Sequence, residues 1–171
     1  MNFKGLIVIA LVAFIGVANG EAAIQDTDAA VLRELQQVAD FRAKILNAVN
    51  TKRAARGLKA VCINTKLTNA AQVLASDLAR YNRVSTTGSD NSTPKSRYAA
   101  QNIKTTQTAE LVGGGYTTVD AVVAAWVKSS GAYIYKDFQF IGPGYKYDDT
   151  KQYKHYWVID MANAPGEVCA S

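Results

Sequence analysis

The stretch HYWVIDM, residues 155–161, carries large apolar side chains on both faces that a β-strand presents. Successive side chains alternate sides, so His155, Trp157 and Ile159 point one way while Tyr156 and Val158 point the other. A strand that is apolar on both faces has to be covered on both. The run FQFIGPGYKY, residues 138–147, is also rich in aromatic and β-branched residues, and the turn-like DDTKQ lies between the two. Together they read as an antiparallel hairpin. Pro143 lacks a ladder donor, which places its strand at a bulge or an edge there.

The covering layers come from helical periodicity upstream. Val31, Leu35, Val38, Phe41, Ile45 and Val49 recur at three- and four-residue steps from Asp28, and Gly57 stops the pattern. Leu67, Ala70, Ala71, Leu74, Leu78 and Tyr81 form a second stripe, with Asn64 as N-cap. A third helix over 118–129 opens at Thr117, with Asp120 three residues on, and carries Val119, Val122, Val123, Trp126 and Val127. The triple glycine at Gly113 to Gly115 reads as a flexible turn leading into it. The fold class expected is α+β, a three-layer α-β-α sandwich around a small antiparallel sheet.

Three segments are expected: residues 1–20 as a secretory signal peptide, 21–40 as a leader and the start of the first helix, and 41–171 as the domain. The first has Lys4 before an apolar run from Leu6 to Val17, too short to span a bilayer, with Ala18 and Gly20 before Glu21 as a cleavage site. No other stretch offers a transmembrane anchor. Removing Lys4 lowers the formal charge from +5 to +4, mildly basic, and nucleic acid is not an expected partner of an exported chain. In an oxidising compartment Cys62 and Cys169 point to a disulfide, with two free thiols as the alternative. Asn91-Ser92-Thr93 is an N-glycosylation sequon, followed by Pro94.

Four segments in order, LNAVNTKRAARGLKAVCINTKLTNAAQVLASDLA, TGSDNSTP, ELVGGGYTTVDAVVAAWVKSSG and IGPGYKYDDTKQYKHYWVIDMA, resemble the CAP superfamily. This group, also called SCP-domain proteins, comprises cysteine-rich secretory proteins, antigen 5 and pathogenesis-related proteins. The chain is most similar to its compact microbial branch. The resemblance implies an α-β-α sandwich and a cavity in which two histidines and two acidic residues hold a divalent metal. It puts the first histidine at Thr86 and the second at Ala132, after Gly131. The carboxylate of the family's GEN motif falls on Glu110, within Ala109-Glu110-Leu111, and the variable carboxylate on Ala124 or Ser129. Only Glu110 is retained. The polar stretch STTGSDNSTP, residues 85–94, is then the cavity rim without its histidine.

No metal or other cofactor is expected, because zinc needs three or four His, Cys, Asp or Glu ligands and the chain has one histidine. His155 is the sole imidazole; it reads as a strand-end residue packing beside Tyr153 or Trp157. No G-x-S-x-G, H-E-x-x-H or C-x-x-C motif is present. Lys52, Arg53, Arg56 and Lys59 cluster where the first helix ends, suited to anionic lipid or acidic polysaccharide, or simply to the helix dipole. Tyr133, Tyr135, Tyr145 and Tyr147 are candidates for an exposed row of rings, or for core and sheet surface.

The function expected is therefore binding rather than catalysis. The resemblance implies a sterol or other lipid, cell-wall polysaccharide, or a host or other extracellular protein as partner. The candidate groove comprises Thr86, Glu110, Trp126, Ala132 and His155. The competing expectation is a metal-dependent or acid–base hydrolase rebuilt from Glu110, His155 and Asp160.

Overall fold

The structure is a computed structural model that describes residues 41–170. The expected signal segment, the leader and the first helix before Phe41 lie outside the described residues. Helix α1 runs over 41–54 and ends at Gly57, whose φ of +67° lets Leu58 N–H reach back to Arg53 O and Gly57 N–H to Ala54 O. Then follow β1 (Cys62–Ile63), α2 (Thr65–Tyr81), α3 (Pro94–Ala100), β2 (Gln107–Gly114), α4 (Val119–Ile134), β3 (Phe140–Tyr147) and β4 (His155–Asn163).

The four strands lie in the order β1-β3-β4-β2. The expected hairpin is the β3–β4 pair, in uninterrupted antiparallel register from Phe140 opposite Ala162 to Tyr147 opposite His155. The sheet is mixed rather than purely antiparallel, because the two-residue β1 runs parallel to β3. So short a strand leaves most of the outer edge of β3 unpaired, and Pro143 sits on that open edge with no break in its ladder to β4.

Alternation along β4 divides the core. On one face Trp157, Ile159 and Met161 pack with Phe41, Ile45 and Val49 of α1 and with Val122, Val123 and Trp126 of α4. On the other, Tyr156 and Val158 pack under Ala71, Leu74, Ala75 and Leu78 of α2. Helix α2 lies close on β3: a Cβ on Gly142 would come 2.2 Å from the Leu67 carbonyl carbon, and one on Gly144 2.4 Å from that of Ala71. Only glycine admits that approach.

Three elements depart from the sequence reading. The triple glycine is not all turn: Gly113 and Gly114 end strand β2, paired with Trp157 and Tyr156, and only Gly115, at φ +84°, makes the turn. Helix α3 was not expected, since its seven residues are too few for a periodic stripe; a reciprocal cap between Thr93 and Ser96 and Pro94 in the first turn start it. The N-cap of α4 is Thr118 rather than Thr117, and α4 continues past Ser129 through a kink at Ser130. Asn64 caps α2 as expected, accepting from Leu67 N–H.

Candidate functional site

Strands β2 and β4 place Glu110 directly opposite Asp160, on the face covered by α2 and α3. The Glu110 side chain is 1% exposed and that of Arg97, from α3, is 4% exposed. Arg97 Nη2 donates to both carboxylate oxygens of Glu110, at 2.9 and 2.8 Å, and to Thr86 O at 2.9 Å. Its Nη1 donates to Ser92 O and Ser92 Oγ. One guanidinium thus joins the sheet to the rim loop. Asp77 of α2 holds the other side of that loop, accepting from Ser89 N–H, Ser89 Oγ–H and Arg83.

Asp160 is fully buried, and neither of its oxygens meets a donor at hydrogen-bonding geometry. Burial, and then the charge of Glu110, raise its carboxyl well above its ordinary value, favouring the protonated acid. Tyr98 lies beside it, 1% exposed; burial first, and then the neighbouring carboxyl groups of Asp160 and Glu110, push its phenol up, so it stays neutral. The centre of this face is a closed cluster of one ion pair, one acid and one phenol.

The five residues of the expected groove do not come together. Glu110 is on the α2 face, whereas Trp126 is buried on the α4 face with its Nε1 donating to Val112 O. His155 starts β4 on that second face, where Tyr145 and its Nδ1 are hydrogen-bonded at 2.8 Å and the Tyr147 ring lies 4.9 Å away. Its ring thus meets Tyr145 and Tyr147, while its backbone N–H donates to O of the expected neighbour Tyr153 at 2.6 Å. Burial lowers the His155 pKa, with Lys154 adding to the effect. Thr86 offers its carbonyl to Arg97 and exposes its side chain; Ala132 is exposed near the end of α4. The tyrosines do not form one row, since Tyr133 and Tyr135 follow the kink of α4 while Tyr145 and Tyr147 are at the His155 end of the sheet.

The rebuilt hydrolase site is not assembled either. Asp160 and His155 face opposite sides of β4, five residues and so about 16 Å apart along it. Nor do the family's metal positions fit an ion. Both Glu110 oxygens are occupied by Arg97, and no group of three or more His, Cys, Asp or Glu among the described residues could hold a metal. The sequence reading passed over Arg97 and Tyr98. The available signal was Asp160, a carboxylate in a strand apolar on both faces, which called for polar company.

Cys62 and Cys169 are disulfide-bonded, with Cα atoms 5.6 Å apart. The tail is also held by Lys66 Nζ on Glu167 at 2.6 Å and by Ala170 N–H on Ile63 O. Asn91 is exposed in the rim loop at φ +62°. No helix among the described residues is long and apolar enough to cross a membrane.

Residues 46–161 match the cysteine-rich secretory protein family, CAP. The chain belongs to this family. Among solved structures, an outer surface protein of Borrelia burgdorferi superposes with a TM-score of 0.63 at 20% identity, covering 73% of this chain and 93% of that one. An extracellular SCP-domain protein of Bacillus anthracis gives 0.62 at 16% identity over 71% of this chain. A cysteine-rich secretory protein of Staphylococcus aureus gives 0.57 at 16% identity over 73%. The chain spans only 39% of the length of each of the latter two proteins. At these identities the likeness shows the fold, and the α+β sandwich is the CAP sandwich. No curated protein sequence matches the chain.

Proposed function

We propose that this CAP domain is exported and acts by binding, with the polar centre of its scaffold given over to structure. The observation that carries the reading is the Arg97–Glu110 pair, in which Nη2 meets both carboxylate oxygens. The one acid retained from the family's cavity is 1% exposed and has both oxygens engaged. A carboxylate so placed cannot grip a cation without first breaking a buried pair. The same guanidinium draws the Thr86 and Ser92 backbone down over it. The ligand classes that fit an extracellular CAP domain are a sterol or other lipid, cell-wall polysaccharide, and a protein partner. The exposed Asn91 would carry the N-glycan in a eukaryotic secretory route.

The test is to incubate the purified domain with labelled sterol, fatty acid and polysaccharide while following hydrolysis of ester, peptide and glycoside substrates. Retention of a ligand without turnover is expected. Turnover abolished by Glu110→Gln would overturn the reading.

A further inference from the structure

We propose that the C-terminal end of α1, with the cleft beside it, binds an acidic polysaccharide, that is, sugars bearing carboxylate or sulfate groups. This rests on the binding reading above and gives it a place and a partner class. Lys52 is exposed in the last turn of α1, Arg56 and Lys59 are exposed just beyond it, and Lys136 is exposed just beyond α4. They are drawn together by a residue that is itself hidden. Arg53, 1% exposed, donates through Nε to Lys59 O at 2.8 Å and through Nη1 to Ile134 O and Lys136 O, both at 2.7 Å. The helix dipole favours cations near this end, but it gives no reason for three segments to be pinned into one patch.

The outer cations are presented rather than spent. Arg56 lies over the Tyr135 ring, 3.5 Å from its centroid, and Lys136 Nζ is 4.8 Å from that of Tyr133, whose ring is 42% exposed. A guanidinium stacked on a ring keeps its in-plane N–H donors for carboxylate or sulfate oxygens. The ion pairs among the described residues use Lys66, Arg83 and Arg97, and none uses these four cations. Asp137 follows Lys136 in sequence, and its charge acts on the buried Arg53.

Lys59 and Asp137 also line a cleft of about 710 Å³ that continues away from the patch toward Thr106 and Gln139. Its shape is preformed: Asn163 donates to Asp137 O at 2.6 Å and accepts from Gln139 N–H at 2.8 Å. Phe138 and Phe140, both buried, form part of the lining, while Thr106 and Gln139 are exposed. This concavity favours a polysaccharide over a bilayer. A membrane surface selects protruding apolar side chains, whereas an extended polar chain can place acid groups on the cations and hydroxyls along a polar-rimmed cleft.

The test is binding of the full chain, as it is produced after export, to immobilised heparin and polygalacturonate. Neutral dextran and phosphatidylcholine–phosphatidylserine vesicles run in parallel. The acidic polymers should be retained, dextran and vesicles should not, and the triple variant Lys59→Gln/Arg56→Gln/Lys136→Gln should weaken retention by about tenfold or more without changing the melting temperature. The equal-charge control Lys95→Gln/Lys104→Gln/Lys146→Gln, exposed residues elsewhere, should leave it unchanged. Equal weakening by both triples, preference for the vesicles, or no retention of either acidic polymer overturns the proposal. In the last case, continued retention of sterol or fatty acid would leave the binding reading standing, and turnover without retention would remove that as well.

Discussion

Replacing Arg97 by Met tests whether the centre of this domain is a structural element. The substitution removes the partner of a carboxylate whose side chain is 1% exposed, and with it three donor contacts to Thr86 O, Ser92 O and Ser92 Oγ. Breaking a buried pair from one side costs about 3–5 kcal/mol, because the remaining charge is left unpaired. Here the penalty falls at the upper end, since Asp160 faces Glu110 across the strands and offers no compensating cation. For a domain of this size each kcal/mol corresponds to roughly 3–4 °C, so the melting temperature should drop by roughly 10–20 °C. Trp126 and Trp157 are both buried, so urea titration followed by tryptophan fluorescence reports the loss of both core contacts directly. The double variant Arg97→Met/Glu110→Leu should recover most of the loss, since an apolar replacement of a whole buried pair is close to neutral. A cost below about 1 kcal/mol for the single variant, or a double variant no more stable than the single, would refute the reasoning.

Asp160→Asn keeps the shape of the protonated acid and removes its titration. Because the folded carboxyl is raised above its ordinary value of 3.8, the stability linked to its protonation is full below that value and is lost as pH rises toward the raised one. The variant should therefore gain progressively on the parent in urea midpoint as pH rises above about 4, and a constant gap would count against a buried neutral Asp160. His155, the sole histidine, should titrate by NMR with a midpoint below 6.5 and shift when Tyr145 is changed to Phe; a midpoint above 6.5 would contradict its placement. Cys169→Ala should cost about 2–5 kcal/mol in urea unfolding, as expected for a bridge that closes a long loop. A loss well under that would mean that the Lys66–Glu167 pair and the tail's backbone contacts already hold it in place.

The contrast between Glu110 and His155 shows how far the residues could be read in advance. Both belonged to one candidate groove, His155 through the strand pattern of β4 and Glu110 through the family resemblance alone, since β2 was not read from the sequence. They diverge because β2 and β4 are paired so that Glu110 meets Asp160 and not His155, and because the two side chains leave opposite faces of the sheet. The basic cluster shows the same effect in reverse. Lys52, Arg53, Arg56 and Lys59 were legible as a charge run, but only the fold separates the buried Arg53 from the exposed three and adds Lys136, from eighty residues away in sequence, to them.

Periodicity by itself determined the sandwich: a strand apolar on both sides demands two helical layers, and the stripes of α1, α2 and α4 supply them. Two cysteines, read together with the expected export signal, likewise pointed to the bridge that closes the tail. What the tertiary structure alone decided is which polar groups meet. Apolar burial is non-directional and leaves a periodic trace along the chain, whereas hydrogen bonds and ion pairs act over a few ångströms between residues that strand register and loop docking bring together. The meeting of Arg97 with Glu110, and that of Arg53 with the Ile134 and Lys136 carbonyls, depend on that geometry.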